Sequence, residues 1–125
     1  MSDVFGELAT MPVKQIWDGV RARIVQSELI TMAIVELGPG AAVLGHQHAN
    51  EQLGFVISGS LVFTVDGERR ERGPGETWRI PAHVPHEATA GPQGAVVAEV
   101  YSPVRADWAA LPDSPARRPA WPVEG

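Results

Sequence analysis

The sequence predicts an all-β fold: one small barrel or sandwich of eight or nine short strands. Two observations lead there. Short Val- and Ile-rich runs recur along the chain, separated by turns that carry Gly or Pro. No stretch before residue 104 shows helical periodicity. The 13 Gly and 11 Pro are spread through the sequence rather than clustered, so they read as turn punctuation between many elements. A chain of 125 residues fits a single domain.

Residues 1–12 read as a loosely held leader ahead of a domain spanning 13–111. Apolar runs at 20–25 and 30–37 end at Gly38-Pro39-Gly40, which breaks the chain. Runs at 53–57 and 61–65 flank Ser58-Gly59-Ser60, which predicts a tight turn between two strands. Asp66-Gly67 predicts a hairpin turn of the positive-φ kind, leading into a polar, exposed strand at 68–72. Gly73-Pro74-Gly75 turns the chain again, and runs at 78–80, 86–89 and 95–101 complete the set. Residues 105–111 predict one short helix. The segment 112–125 holds four Pro and two adjacent Arg; it predicts a flexible tail, a strap or an arm onto a partner subunit.

The net charge of −5 argues against a nucleic-acid surface, which needs a basic stripe to displace counterions. No apolar run approaches the roughly 20 residues that cross a bilayer. Residues 1–10 carry acids and no signal pattern. The absence of Cys removes any disulfide framework or thiolate metal site. The expectation is a cytoplasmic protein with a small-molecule substrate and no nucleic-acid or membrane partner. Small size favours a homodimer.

The four histidines fall in two clusters, His46 with His48 and His83 with His86. Residues two apart on a strand share a face, so His46 and His48 project side by side. Gln52 starts the next apolar run, and His86 comes from a later segment. Three imidazoles and an amide oxygen meeting in a barrel would bind a divalent metal. The plainer alternative is a polar strand face that carries two histidines.

The surrounding glycines favour the metal. Gly40, five residues, His46-Gln47-His48, three residues, Gln52, six residues and Gly59 resemble the first motif of the cupin superfamily, with Gln in place of its acid. Gly75, Pro81, His83, His86 and Ala90 are similar to its second motif, with His83 replacing a Gly and Ala90 an Asn. The resemblance covers roughly 15–105. It implies a jelly-roll β-barrel with one divalent transition metal ion (Zn, Ni, Fe, Mn or Cu) on His46, His48, Gln52 and His86. Glu51 is the alternative carboxylate ligand, but an extended chain would point it to the opposite face from Gln52. Neutral ligands leave the ion its full charge and make it the stronger Lewis acid.

The segment from His46 through Asn50 and Gln52 to Phe55 resembles a narrower group, the single-domain cupins that convert unsaturated uronic acids from pectin or alginate into linear keto sugars. That group also uses Gln here. It carries an acid six residues before an Arg, which this chain matches with Glu99 and Arg105, Glu99 standing where the group has Asp. The resemblance implies that Glu99 moves a proton, with Tyr101 nearby on the same strand face, and that Arg105 grips a carboxylate. The alternatives are a structural salt bridge from Glu99 to Arg23 or Arg105, and a surface or interface charge at Arg105. His83 reads as an exposed loop residue, with proton carriage the alternative; Trp17, Trp78 and Trp108 read as core and interface packing, with substrate stacking the alternative; Arg21 and Arg23 read as a solvated strand face, with lining of the barrel the alternative. The function expected is Lewis-acid chemistry on a small oxygenated substrate, a sugar acid, by tautomerisation with ring opening, isomerisation or elimination. The alternatives are a metal-dependent dioxygenase of a diketone or flavonol, and a non-catalytic small-molecule-binding cupin.

Overall fold

The computed structural model describes residues 4–122. A short 3-10 turn at Leu8–Thr10 leads into nine strands and one helical turn. These are β1 (Val13–Trp17), β2 (Val20–Gln26), β3 (Thr31–Leu37), β4 (Ala42–His46), β5 (Glu51–Val65), β6 (Glu68–Arg72), β7 (Thr77–Ile80), β8 (His86–Ser102), α1 (Ala106–Ala109) and β9 (Asp113–Ser114).

Two long strands organise everything else. β5 and β8 pair antiparallel from Glu51↔Ser102 to Val65↔His86. The first part of β5 also pairs β7 and its second part pairs β6. Likewise, the start of β8 pairs β4 and its end pairs β3, which continues through β2 and β1 to β9. One sheet thus bends along β5 and β8 and closes on itself as a jelly roll. Its inner face carries a single core that includes Val20, Ala22, Val35, Val56, Leu61 and Ile80. Burying one such aliphatic side chain contributes about 1.5–3 kcal/mol.

The structure corrects the expected turn at Ser58-Gly59-Ser60, where β5 runs straight on. Gly59 sits at φ 76° between two register shifts, and a Cβ there would collide with the carbonyl of Gly94. The glycine lets two strands bend past each other at close range; it does not reverse the chain. The separate runs at 86–89 and 95–101 are, for the same reason, one strand. Asp66-Gly67 does reverse the chain, with φ 49° and 81° and Val65 opposite Glu68. The helix is shorter than expected, Ala106–Ala109 rather than 105–111. β1, β4 and β9 were not anticipated as separate strands; each is only two to five residues long.

Arg23 is a second correction. It is only 1% exposed, paired with Glu36 at 2.7 Å and donating to the Arg117 carbonyl at 2.8 Å. The segment after α1 covers it. Lys14 holds the start of that segment through the Leu111 carbonyl and Asp113, both at 2.6 Å, and the Ala120 amide donates to Glu36. No helix among the described residues is long and apolar enough to cross a membrane.

Candidate metal centre

At one end of the barrel, β4, the loop after it, β5 and β8 each bring one polar side chain toward the others, and those of His46, Gln52 and His86 line an interior cavity. His46 closes β4, His48 lies two residues beyond, Gln52 is the second residue of β5 and His86 opens β8. The backbone N–H of His83 donates to the His48 carbonyl at 2.8 Å, joining the two histidine segments. The rings of His46 and His86 are 4.3 Å apart centre to centre, those of His48 and His86 4.9 Å.

Each imidazole is fixed in the same manner. Nδ1 meets a backbone carbonyl two residues away: Leu44 for His46, Asn50 for His48 and Val84 for His86, at 2.8–2.9 Å. A neutral ring that donates from Nδ1 keeps its lone pair on Nε2. One ligand nitrogen from each ring fits within a span of 4.8 Å. The Nε2 atoms of His48 and His86 are buried and have no hydrogen-bond partner. Two orphaned acceptors side by side are costly unless something binds them. Ligand atoms about 2.1 Å from one shared ion lie at most about 4.2 Å apart, so closing on a metal takes small ring movements. The residues present therefore fit a divalent transition metal ion. Burial holds His86 down to about 4, although its bond to the Val84 carbonyl acts the other way. Burial and then the Arg105 charge lower His48. Both rings stay neutral at pH 7, the state that ligates.

Across the cavity both oxygens of Glu99 are satisfied. Glu99 is buried and accepts three hydrogen bonds: Tyr101 Oη to Oε1 at 2.7 Å, Trp78 Nε1 to Oε2 at 3.1 Å, and Gln52 Nε2 to Oε2. Burial raises the Glu99 carboxyl, and the three donors oppose that shift without cancelling it. Tyr101 is pushed well above its usual value by burial and the neighbouring carboxyl, so it stays a donor. Gln52 spends its NH₂ on Glu99, which leaves its carbonyl oxygen as the free end. This explains the Gln in a motif that elsewhere has an acid: a carboxylate at 52 would face the Glu99 carboxylate in a dry interior. Glu51 is exposed on the outer face, away from the cavity.

Neither salt bridge considered for Glu99 forms. Arg23 faces outward to Glu36, and Arg105 is engaged by Asp107. The Arg105 Nε and Nη2 donate to the two Asp107 oxygens at 3.0 and 2.9 Å, while its guanidinium lies over the Trp108 ring at 4.1 Å and Tyr101 at 4.8 Å. The side chain is buried and lines the cavity, with Nη1 left outside the Asp107 fork. That arrangement lowers the Asp107 carboxyl, chiefly through the Arg105 hydrogen bond.

The tryptophans do more than pack. Trp108 stacks on Arg105, Trp17 lies 5.4 Å from the His46 ring, and Trp78 donates to Glu99. Gly54 is the notch that admits the Trp78 indole, since a Cβ there would sit 2.6 Å from Nε1. Asn50 was also missed: its side chain donates to the Pro103 carbonyl at 2.6 Å while its own carbonyl orients His48. The signal for Asn50 was its place between two ligand candidates. His83 is an exposed loop residue at φ 66°, the conformation that the motif glycine would adopt freely.

This barrel with inward-facing histidines is the architecture of the cupins, and residues 33–101 match the Cupin domain family. The match spans more than half of the chain, which belongs to that family. Among its relatives is the pectin degradation protein KdgF of Dickeya dadantii, 27% identical over 99 residues, covering 78% of this chain and 90% of that one. The solved structure of KdgF from a Halomonas species superposes with a TM-score of 0.78 at 27% identity, over 85% of this chain and 98% of that one. An RmlC-like cupin from Shewanella frigidimarina superposes with a TM-score of 0.79 at 24% identity, over 85% and 96%, and supports the fold.

Proposed function

We propose that this protein is a metal-dependent isomerase of small sugar acids that opens the ring of an unsaturated uronate to a linear keto form. The observation that carries the reading is the Gln52–Glu99 hydrogen bond beside the convergent imidazoles. It joins a Lewis-acid site to a buried carboxyl of raised proton affinity. The similarity to KdgF, a pectin degradation protein, supports the substrate class.

His46, His48 and His86 through Nε2, with the Gln52 carbonyl oxygen, would hold the ion. A divalent metal there supplies Lewis acidity toward a hydroxyl or carbonyl oxygen. The chain's own groups do the rest. Arg105, steadied by Asp107 and stacked on Trp108, offers Nη1 to the substrate carboxylate. Opening the hemiacetal gives an aldehyde and an enol; moving one proton from the enol oxygen to carbon gives the ketone, with no other reactant. Glu99 carries that proton, and Tyr101 and Trp78 fix its two oxygens. The interior cavity is about 40 Å³, room for a few water molecules. Only the reacting end of the sugar acid therefore reaches Glu99, entering beside the half-exposed His46 and Trp17.

The test is to mix metal-replete protein with unsaturated galacturonate or mannuronate and follow the enol-ether absorbance. It should fall, and Glu99→Gln should slow the fall by about 10²–10⁴-fold. Unchanged absorbance with wild-type, metal-replete protein rejects this substrate class. Oxygen consumption with a diketone or flavonol would move the protein to the dioxygenases.

A further inference from the structure

The interior cavity, about 40 Å³, is too small for a whole sugar ring, so most of a bound ring stays at its mouth. Trp17 stands there, and one extra residue puts it there. β1 and β2 pair as Lys14↔Ala22 and Gln15↔Arg21, then shift by one to Trp17↔Val20. In unbroken register Ile16 would oppose Val20, and Trp17 would point to the outer face. The bulge turns Trp17 to the side of Val20, which is buried in the core. The Gln15 side chain ties the bulge down by donating to the carbonyls of Trp17 and Val20. The indole therefore lines the same cavity as His46, Gln52, Glu99 and Arg105, its ring 5.4 Å from that of His46 and tilted 51° to it. Packing does not use Trp17 up, since it remains half-exposed. Among the described residues β4 pairs only with β8, and β1 meets β9 only at Val13 and Lys14, so both strands keep a free edge at His46 and Trp17.

We infer that Trp17 is a stacking platform for the ring of the sugar acid, outside the contacts made by the metal and Arg105. One face of a pyranose carries mostly C–H bonds and matches the flat apolar face of an indole. In an unsaturated uronate the double bond flattens part of the ring, which improves the match. Trp17 thus selects cyclic substrates: a linear hydroxy acid offers the same kinds of oxygen and the same carboxylate, but nothing to stack. Trp17 moves no proton, so it contributes equally to binding substrate and transition state. The inference rests on the sugar-acid reading above.

The test compares zinc-loaded wild type with Trp17→Phe, which keeps an aromatic face, and Trp17→Leu, which keeps apolar bulk without one. Titration calorimetry measures binding of D-galacturonate and of glycerate, a hydroxy acid with no ring. Trp17→Leu should bind galacturonate about tenfold more weakly than wild type and glycerate equally well; Trp17→Phe should stay within about threefold for both. With unsaturated galacturonate, Trp17→Leu should raise KM about tenfold at nearly constant kcat. Zinc retention should match wild type in both variants. The Trp17 indole N–H resonance, assigned by its absence in Trp17→Phe, should shift further with galacturonate than with glycerate; this covers the case in which Trp17→Leu misfolds. Equal galacturonate affinity in wild type and Trp17→Leu, or an equal shift with both acids, overturns the inference. A loss of zinc that accounts for the weaker binding also overturns it, leaving Trp17 only to pack His46. A wild type that neither binds galacturonate nor turns over an unsaturated uronate fails the sugar-acid reading itself. Turnover with a KM that Trp17→Leu leaves unchanged fails this inference alone.

Discussion

The two walls of the cavity solve opposite problems. On the imidazole wall each Nδ1 is tied to a backbone carbonyl, and two buried Nε2 atoms are left with nothing to bind. On the carboxylate wall three donors converge on Glu99. An unsatisfied buried acceptor is a standing cost that a ligand relieves; a saturated carboxyl is a group preset in one orientation. The first wall is built to receive, the second to hold still. Gln52 belongs to both, its NH₂ fixed on Glu99 and its oxygen free.

Converting that shared residue breaks the contrast hardest. Gln52→Glu sets two carboxylates against each other in the interior and should cost about 2–4 kcal/mol in denaturant unfolding of the metal-free protein. Adding Glu99→Gln restores a donor–acceptor pair but turns an N–H toward Trp78, so it should recover only part of the loss. Full stability in Gln52→Glu would mean that the bond to Glu99 does not order the site.

Acid sharpens the contrast from the other wall. In the unfolded chain residue 86 takes its proton near pH 6.5; folded, it resists until about 4. Between those values the unfolded state binds more protons. The stability of the metal-free protein is therefore complete above about 6.5 and falls as pH drops toward 4, by on the order of 2–3 kcal/mol from this group. Urea melts of wild type and His86→Gln across that window measure it. The variant should have the shallower slope, since His48 still contributes in the same direction, and an equal slope in both would assign it to another group.

The smallest effect lies just outside the cavity. His83 holds a positive φ with no evident reward from its exposed side chain. His83→Gly should raise stability by up to about 1 kcal/mol, as relieved strain outweighs the added freedom of the unfolded chain. A loss of stability would show that the imidazole makes a contact of its own.

How much of this the sequence disclosed follows the range of the forces involved. The histidine spacing and Asp66-Gly67 are local signals: the three imidazoles of His46, His48 and His86 do converge, and Asp66-Gly67 does reverse the chain. Ser58-Gly59-Ser60 misled because a glycine that permits close strand crossing looks, in one dimension, like a glycine that turns a chain. Its meaning depends on Gly94, thirty-five residues away. Arg23 looked solvated because the segment that covers it follows ninety residues later. Trp78 read as packing since nothing local reveals that Gly54 opens a slot for its indole or that Glu99 waits at the end of it. The ties among Gln52, Trp78, Tyr101 and Glu99 are products of register across three strands, which no single segment contains.

The most direct test is metal uptake. Protein stripped with chelator, then dialysed against Zn, Ni, Mn, Fe or Cu, should retain one ion per chain by elemental analysis. Its melting temperature should rise as the orphaned nitrogens are satisfied, and His48→Ala and His86→Ala should each weaken retention by more than about a hundredfold. Wild-type protein that retains none of these ions, or alanine variants that retain them as well as wild type, would contradict the account.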